Sequence, residues 1–389
     1  MKLLPDRNIF NIWLSLIVIA SLILIPLGVA LSSRSQTTDV HEYWKLPVTS
    51  AGAPQPGAHP LVQSYDTTAC GACHINQHQD WRASVHAQAF SPGLAGQLPV
   101  FSRTEQEACL ACHAPRVEQQ VAWFKPGQRA TVEGVDCAAC HVRKGTRFGP
   151  REVDLTPHGR VEASALFKRS EFCSVCHQFG PEGFAFNGKP LENTYEEWKA
   201  TRYARDNVTC QGCHMPGGRH EFRGIHDPEM TRRGLAVRAV REHDRIRLTA
   251  TNAGAGHHLP TYTTPLIRIE ISGKNKRREH VLRRELAWDA QTGLREVSDT
   301  RLAAGESVSI ALELPARAFG HIVVTVDPGY DYHARIFPDL IASLGTTLSS
   351  QAQAMLRSAR NATRSRAYVL YRLRCEPWRG HDADCVALP

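Results

Sequence analysis

The sequence predicts a mainly α and irregular domain joined to an immunoglobulin-like β-sandwich, with a transmembrane helix before them and a C-terminal helix after them. Three observations lead there. Ten of the twelve cysteines fall in one short motif that recurs between residues 70 and 214. After Gly234 the composition changes to alternating apolar and polar residues. Ile12 to Leu31 is a run of twenty residues without a charge.

The apolar run has about the length that spans a bilayer, whereas a secretory signal has an apolar region of only about 7–15 residues. Length therefore favours an uncleaved anchor at 1–31. Gly28-Val29-Ala30 keeps a cleavable signal open, and Pro26 would kink a spanning helix without forbidding it. Either way the chain is exported. Lys2 and Arg7 precede the run and favour a cytoplasmic N-terminus. The expected location is the inner membrane, with the bulk of the chain in the periplasm. Residues 32–64, rich in Pro, Gly, Ser and Thr, read as a tether.

The repeated motif reads Cys-x-x-Cys-His: Cys70, Cys73 and His74; Cys109, Cys112 and His113; Cys137, Cys140 and His141; Cys173, Cys176 and His177; Cys210, Cys213 and His214. Chance would supply on the order of 0.02 such patterns in a chain of this composition. The chemistry explains the spacing. Two thiols reach the two vinyl groups on one porphyrin edge, and the adjacent histidine presents its ring to the iron. Structural zinc needs motifs in pairs that complete four ligands, and it leaves a histidine after every motif unexplained. The reading is five covalently attached haem c groups with His74, His113, His141, His177 and His214 as proximal ligands. Cys375 and Cys385 lack a following histidine and suit a disulfide in an exported protein.

Five motifs lie within the 145 residues from Cys70 to His214. Residues 65–233 therefore form a pentahaem cytochrome c domain of short helices and loops, with haem itself as much of the core. From 234 to 337, segments such as DRIRLTATNAG, TPLIRIEISGKN and GHIVVTVDPG alternate apolar and polar residues between turn signals. Six or seven such strands suggest an antiparallel sandwich of immunoglobulin-like type. In 338–389, the stretch from Leu340 to about Glu376 reads as helical, followed by a tail.

A low-spin electron-transfer haem needs a sixth ligand, normally histidine or methionine. Only Met215, Met230 and Met355 lie beyond the initiator, so most sites are expected to be bis-histidine, with low reduction potentials. The net charge of +8 comes without a basic run interleaved with aromatics, which excludes nucleic acid as a partner. The arginines suit haem propionates. Trp81, Trp198 and Phe172 lie near motifs and read as packing residues.

The segments CGACHINQHQDWRASVHAQAF, GVDCAACH, YEEWKATRYARDNVTCQGCHMP and RHEFRGIHDPEM, over roughly residues 65–265, resemble the large multihaem family that includes the tetrahaem cytochrome of ammonia oxidisers and relatives of hydroxylamine oxidoreductase. NAGAGHHLPT is similar to the element that opens the strand domain in several members. The resemblance implies that His86, His158, His220, His226 and His257 supply distal ligands. His258 could replace His257, and His333 is a reserve. His59, His280 and His381 fall in solvated contexts, and His78 lies near the first motif without ligating.

The expected function is electron transfer between membrane-associated and periplasmic redox partners, either soluble proteins or a membrane redox complex. A multihaem oxidoreductase acting on nitrite, hydroxylamine or nitric oxide would need one open iron. The sequence has no Cys-x-x-Cys-Lys variant, and it falls short of the eight haems of hydroxylamine oxidoreductase. A quinol-oxidising anchor subunit of the small tetrahaem type fits the topology, but those proteins place methionine just after the first motif. Here Ile75-Asn76 follows His74. A structural cytochrome is a further alternative.

Overall fold

The computed structural model describes residues 39–52, 58–125, 132–153, 157, 159–289, 293–329 and 348–388. The apolar run 12–31, His158 and His333 lie outside the described residues. Among the described residues no helix is long and apolar enough to cross a membrane.

Each Cys-x-x-Cys-His motif occupies a short helix or its end: Thr67–Gly71, Arg103–His113, Cys137–His141, Glu171–His177 and Cys210–His214. Helical residues three and four apart share a face, so both thiols and the imidazole of a motif emerge together. In the first motif the turn continues one step past the helix, where His74 N donates to Cys70 O at 2.9 Å. Helices this short depend on their caps. Asp66 accepts from Thr68 N, Asp136 from Ala139 N and Thr209 from Gly212 N, while Ser102 and Glu105 form a reciprocal capping box. Gly71 is required for space, because a Cβ there would stand 2.6 Å from the ring of His78.

The helical region has only small apolar clusters of its own. One gathers Leu94, Leu98, Leu110 and Trp123, and the other Tyr43, Trp44, Val48 and Leu166. The second cluster corrects the tether reading of 32–64. Residues 40–50 are woven into the domain, with Tyr43, Trp44, Val48 and Ser50 buried. Tyr43 Oη donates to Cys140 O at 2.7 Å, and Val48 exchanges backbone bonds with Pro115 and Val117. The cause is aromatic: Tyr43 and Trp44 pack on Phe148, Phe167 and Phe172, and the guanidinium of Arg143 lies 4.2 Å over the Tyr43 ring. A composition dominated by Pro, Gly and Ser concealed two anchoring rings.

Strands β1 (Val142–Arg143), β2 (Thr146–Gly149) and β3 (Val161–Ala163) form a small sheet after the third motif. β4 (Ala185–Phe186) pairs with β5 (Lys189–Pro190). The strand domain begins with β6 (Leu235–Arg241), β7 (Arg245–Asn252), β8 (Leu266–Gly273) and β9 (Lys276–Leu282). It continues with the hairpin β10 (Arg284–Asp289) and β11 (Gly293–Asp299), then β12 (Ser307–Glu313) and β13 (Gly320–Asp327). β14 (Tyr368–Cys375), β15 (Ala383–Asp384) and β16 (Val386–Ala387) complete it. The sheets run β12-β7-β6-β15 and β16-β14-β13-β8-β9. Alternate residues of both, including Ile246, Leu248, Ile269, Ile271, Ile310, Val324 and Leu373, meet in one buried core.

The C-terminal stretch departs from the helical reading. Its helix runs only over Ser350–Arg364, lying on the helix Pro92–Gln97 of the haem-motif region. A Cβ on Gly96 would stand 2.9 Å from Ala352 O, so that approach requires the glycine. The chain then enters the sandwich as β14, paired with β13, with Leu373 and Cys375 inward and Arg372 and Arg374 outward. Ser365-Arg366-Ala367 contains no Gly or Pro to mark the change of period, which is why one continuous helix was expected. Cys375 and Cys385 form the expected disulfide, fastening the tail that carries β15 and β16.

Candidate haem sites

Three proximal histidines face three of the expected distal ones. The ring centres of His86 and His177 are 6.1 Å apart, those of His141 and His220 6.1 Å, and those of His214 and His257 6.2 Å. Two imidazoles that hold one metal from opposite sides stand about 6.3 Å apart, given metal–nitrogen bonds of about 2.0–2.1 Å and ring centres about 1.1 Å behind the nitrogens. The observed spacings match that requirement.

The other ring nitrogens support the same arrangement. Nδ1 of His113 lies 2.7 Å from Ala89 O, that of His141 2.9 Å from Phe148 O, that of His220 3.1 Å from Gly218 O and that of His257 2.8 Å from His258 O. Nδ1 of His214 bonds Arg223 O, and Nδ1 of His177 bonds the hydroxyl of Tyr262. Each bond to a carbonyl, which only accepts, places the proton on Nδ1 and leaves the Nε2 lone pair for a metal. Burial pushes His86 down to about 3 and His141, His177 and His257 down to about 4, so these rings are neutral at physiological pH. A neutral imidazole is the form that ligates.

The motifs themselves lie close together. The side chains of Cys70 and Cys137 are neighbours, as are those of Cys112 and Cys176 and those of Cys173 and Cys210. The first motif thus adjoins the third, and the fourth touches both the second and the fifth.

Of the remaining expected ligands, His226 lies outside the three ring pairs. Burial first, then the charge of Arg366, pushes it down to about 4. Arg366 in turn reaches Gln88, next to the carbonyl that holds His113. His258, the alternative to His257, instead turns Nδ1 to within 3.0 Å of Glu197 Oε1. His59 and His381 are exposed and His280 is half-buried on β9. Trp81 is buried and donates to Val135 O, Trp198 donates to Val208 O, and Phe172 packs on Trp44 and Phe167.

Supporting residues that the motifs did not announce come from elsewhere. Asp80, buried on the helix Ile75–Ala83, receives Arg219 through both oxygens at 2.6 and 2.7 Å and the backbone N–H of His220 at 3.0 Å. From the helix that follows the first motif it fixes His220, the ring facing the histidine of the third. The strand domain contributes His257 and Tyr262, both from the β7–β8 connection. An ionic seam holds that connection in place. Glu197 accepts from His258 N at 3.0 Å, and Arg301 Nη1 lies 3.6 Å away. Arg301 and Lys189 both bind Asp299, while buried Arg284 binds Glu296 and the carbonyls of Phe186, Lys189 and Pro190.

Repeated Cys-x-x-Cys-His motifs with opposed, metal-ready imidazoles are the features of a multihaem c-type cytochrome. Residues 69–142, which carry the first three motifs, match the family described as cytochrome c554 and c-prime. Cytochrome c-554 of Nitrosomonas europaea is 24% identical over 128 residues, 28% of this chain and 54% of the relative. The chain thus spans about half the length of that curated relative. A penta-haem cytochrome c552 from Thermochromatium tepidum shares the fold, with a TM-score of 0.51 and 18% identity over 73% of this chain and 94% of that one.

Proposed function

We propose that this chain is a five-haem electron relay, held at the inner membrane by residues 12–31, that passes electrons in the periplasm between membrane-associated and periplasmic redox partners. The observation that carries this reading is the set of three opposed histidine pairs at 6.1–6.2 Å. A pair fills both axial positions and leaves none for substrate. In this reading His226 serves opposite His113, and His158 is a further candidate ligand.

Bound haem supplies a one-electron Fe(III)/Fe(II) couple, and the chain does the rest. The cysteines fix each porphyrin edge. The Nδ1 bonds fix ring orientation and donor strength. The contacts between motifs set the adjacency through which electrons pass, from the first to the third and between the fourth and both the second and fifth. The strand domain supplies an axial ligand and its support.

Low-temperature electron paramagnetic resonance of the oxidised holoprotein, calibrated against total iron, tests the reading. Five low-spin haems per chain support a relay. One high-spin haem in five would transfer the proposal to an oxidoreductase, with nitrite, hydroxylamine and nitric oxide as the substrates to assay.

A further inference from the structure

His177 differs from the other histidines of the motifs and ring pairs whose Nδ1 partner is described. His113, His141, His214, His220 and His257 use backbone carbonyls, whereas His177 uses the side-chain hydroxyl of Tyr262. Tyr262 is half-buried, and its hydroxyl also bonds Thr194. Thr194 Oγ1 lies 2.7 Å from Thr261 Oγ1, and Thr261 Oγ1 lies 3.5 Å from Glu197 Oε2. The Glu197 side chain is 5% exposed and also receives His258 N and the charge of Arg301. A carboxylate only accepts, so the end of the chain sets its direction. Thr261 donates to Glu197, Thr194 to Thr261, Tyr262 to Thr194, and His177 Nδ1 to Tyr262. Every hydroxyl then donates once and accepts once.

We propose that the hydrogen-bonded series Glu197, Thr261, Thr194, Tyr262 and His177 carries the influence of a buried carboxylate to an axial ligand and lowers the reduction potential at the fourth motif. Each member polarises the next in a low-dielectric interior, and a histidine whose N–H is drawn toward an acceptor is a stronger donor to ferric iron. Tyr262, Thr194 and Thr261 are positioning residues that act through His177. The location gives the device a purpose. The fourth motif touches both the second and the fifth, so the potential there governs how electrons divide between two branches. Because Tyr262, Thr261 and His257 share one connection of the strand domain, that domain tunes the relay as well as ligating it.

The inference rests on His177 being an iron ligand, as in the function proposed above. The test is a potentiometric titration followed by optical and electron paramagnetic resonance spectroscopy in Tyr262→Phe, Thr194→Val and Thr194→Ser. Tyr262→Phe and Thr194→Val should raise one haem component by about 59 mV, a tenfold change in its ferric-to-ferrous balance. Thr194→Ser, which keeps the hydroxyl, should titrate like the parent. Low-spin spectra preserved with no component moved would overturn the hydrogen-bonded series and leave the ligation standing, as would an equal shift in Thr194→Ser and Thr194→Val. His177→Ala examines the ligation separately. Should it leave every low-spin signal in place, both proposals fall together.

Discussion

Replacing His86 by alanine tests the histidine pairing most directly. His86 faces His177 at 6.1 Å, and its ring meets Phe222 edge-on at 4.2 Å. Among the described residues its Nδ1 is buried with no hydrogen-bond partner, so a hydrogen-bonding role does not account for the ring. Phe222 cannot replace it as a ligand, because its ring has no lone pair to offer. His86→Ala should therefore convert one low-spin haem, about a fifth of the iron in a five-haem chain, to a high-spin form that binds one carbon monoxide per protein when reduced. Removing a large, half-buried side chain should also lower stability by about 1–2 kcal/mol, because such a site collapses only in part. Spin quantification against total iron, carbon monoxide titration and thermal unfolding give the three readouts. If the variant shows the parent's low-spin intensity and no carbon monoxide binding, the assignment of His86 to His177 is wrong, whatever happens to stability.

Further outcomes follow from the same geometry. Asp80→Asn should lower stability by about 1.5–2 kcal/mol, the lower part of the range for charged hydrogen bonds because Arg219 is half exposed, and should alter the low-spin signal of the His141–His220 site; thermal unfolding with a spectrum identical to the parent's would deny Asp80 its positioning role. Reducing Cys375–Cys385, whose partners are 10 residues apart, should cost about 2.7 kcal/mol by loop entropy, measured by denaturant unfolding with and without reductant. Burial pushes Glu296 and Asp299 up, but the bonds of Arg284 to Glu296, of Arg301 to Asp299 and of Lys189 to both outweigh it and hold them below the usual carboxylate range. Depressed carboxylates stabilise fully above their unfolded value of about 4 and lose that contribution as pH falls through the lower folded value. The melting-temperature gap between parent and Asp299→Asn should thus be complete at pH 7 and close below about pH 4; a gap unaffected by pH would contradict the seam.

Particular residues explain what could be read in advance. The Cys-x-x-Cys-His motifs announce their chemistry because attachment and proximal ligation are local: five consecutive residues on one helical turn hold all three groups. The disulfide was legible by elimination, since Cys375 and Cys385 were the cysteines left over. The strands from Leu235 to Asp327 were legible because one face is buried and the other wet, which imposes alternation. Tyr43 and Trp44 were misread within a tether because their partners, Phe148, Phe167 and Phe172, lie more than a hundred residues away. β14 was misread because its partner, β13, is separated from it by the helix Ser350–Arg364.

The sequence by itself determined the haem c chemistry, the number of Cys-x-x-Cys-His motifs and the change from helical to strand character near Gly234, because each is encoded within a few residues or in a short period. Only the tertiary structure decided that His86 stands opposite His177, His220 opposite His141 and His257 opposite His214, that Asp80 steadies His220, and that Tyr262 and Glu197 reach the fourth motif. Those relations join residues from about 20 to 140 positions apart. Their distances are set by the packing of helices and strands around one another, and nothing in a local pattern of residue types encodes them.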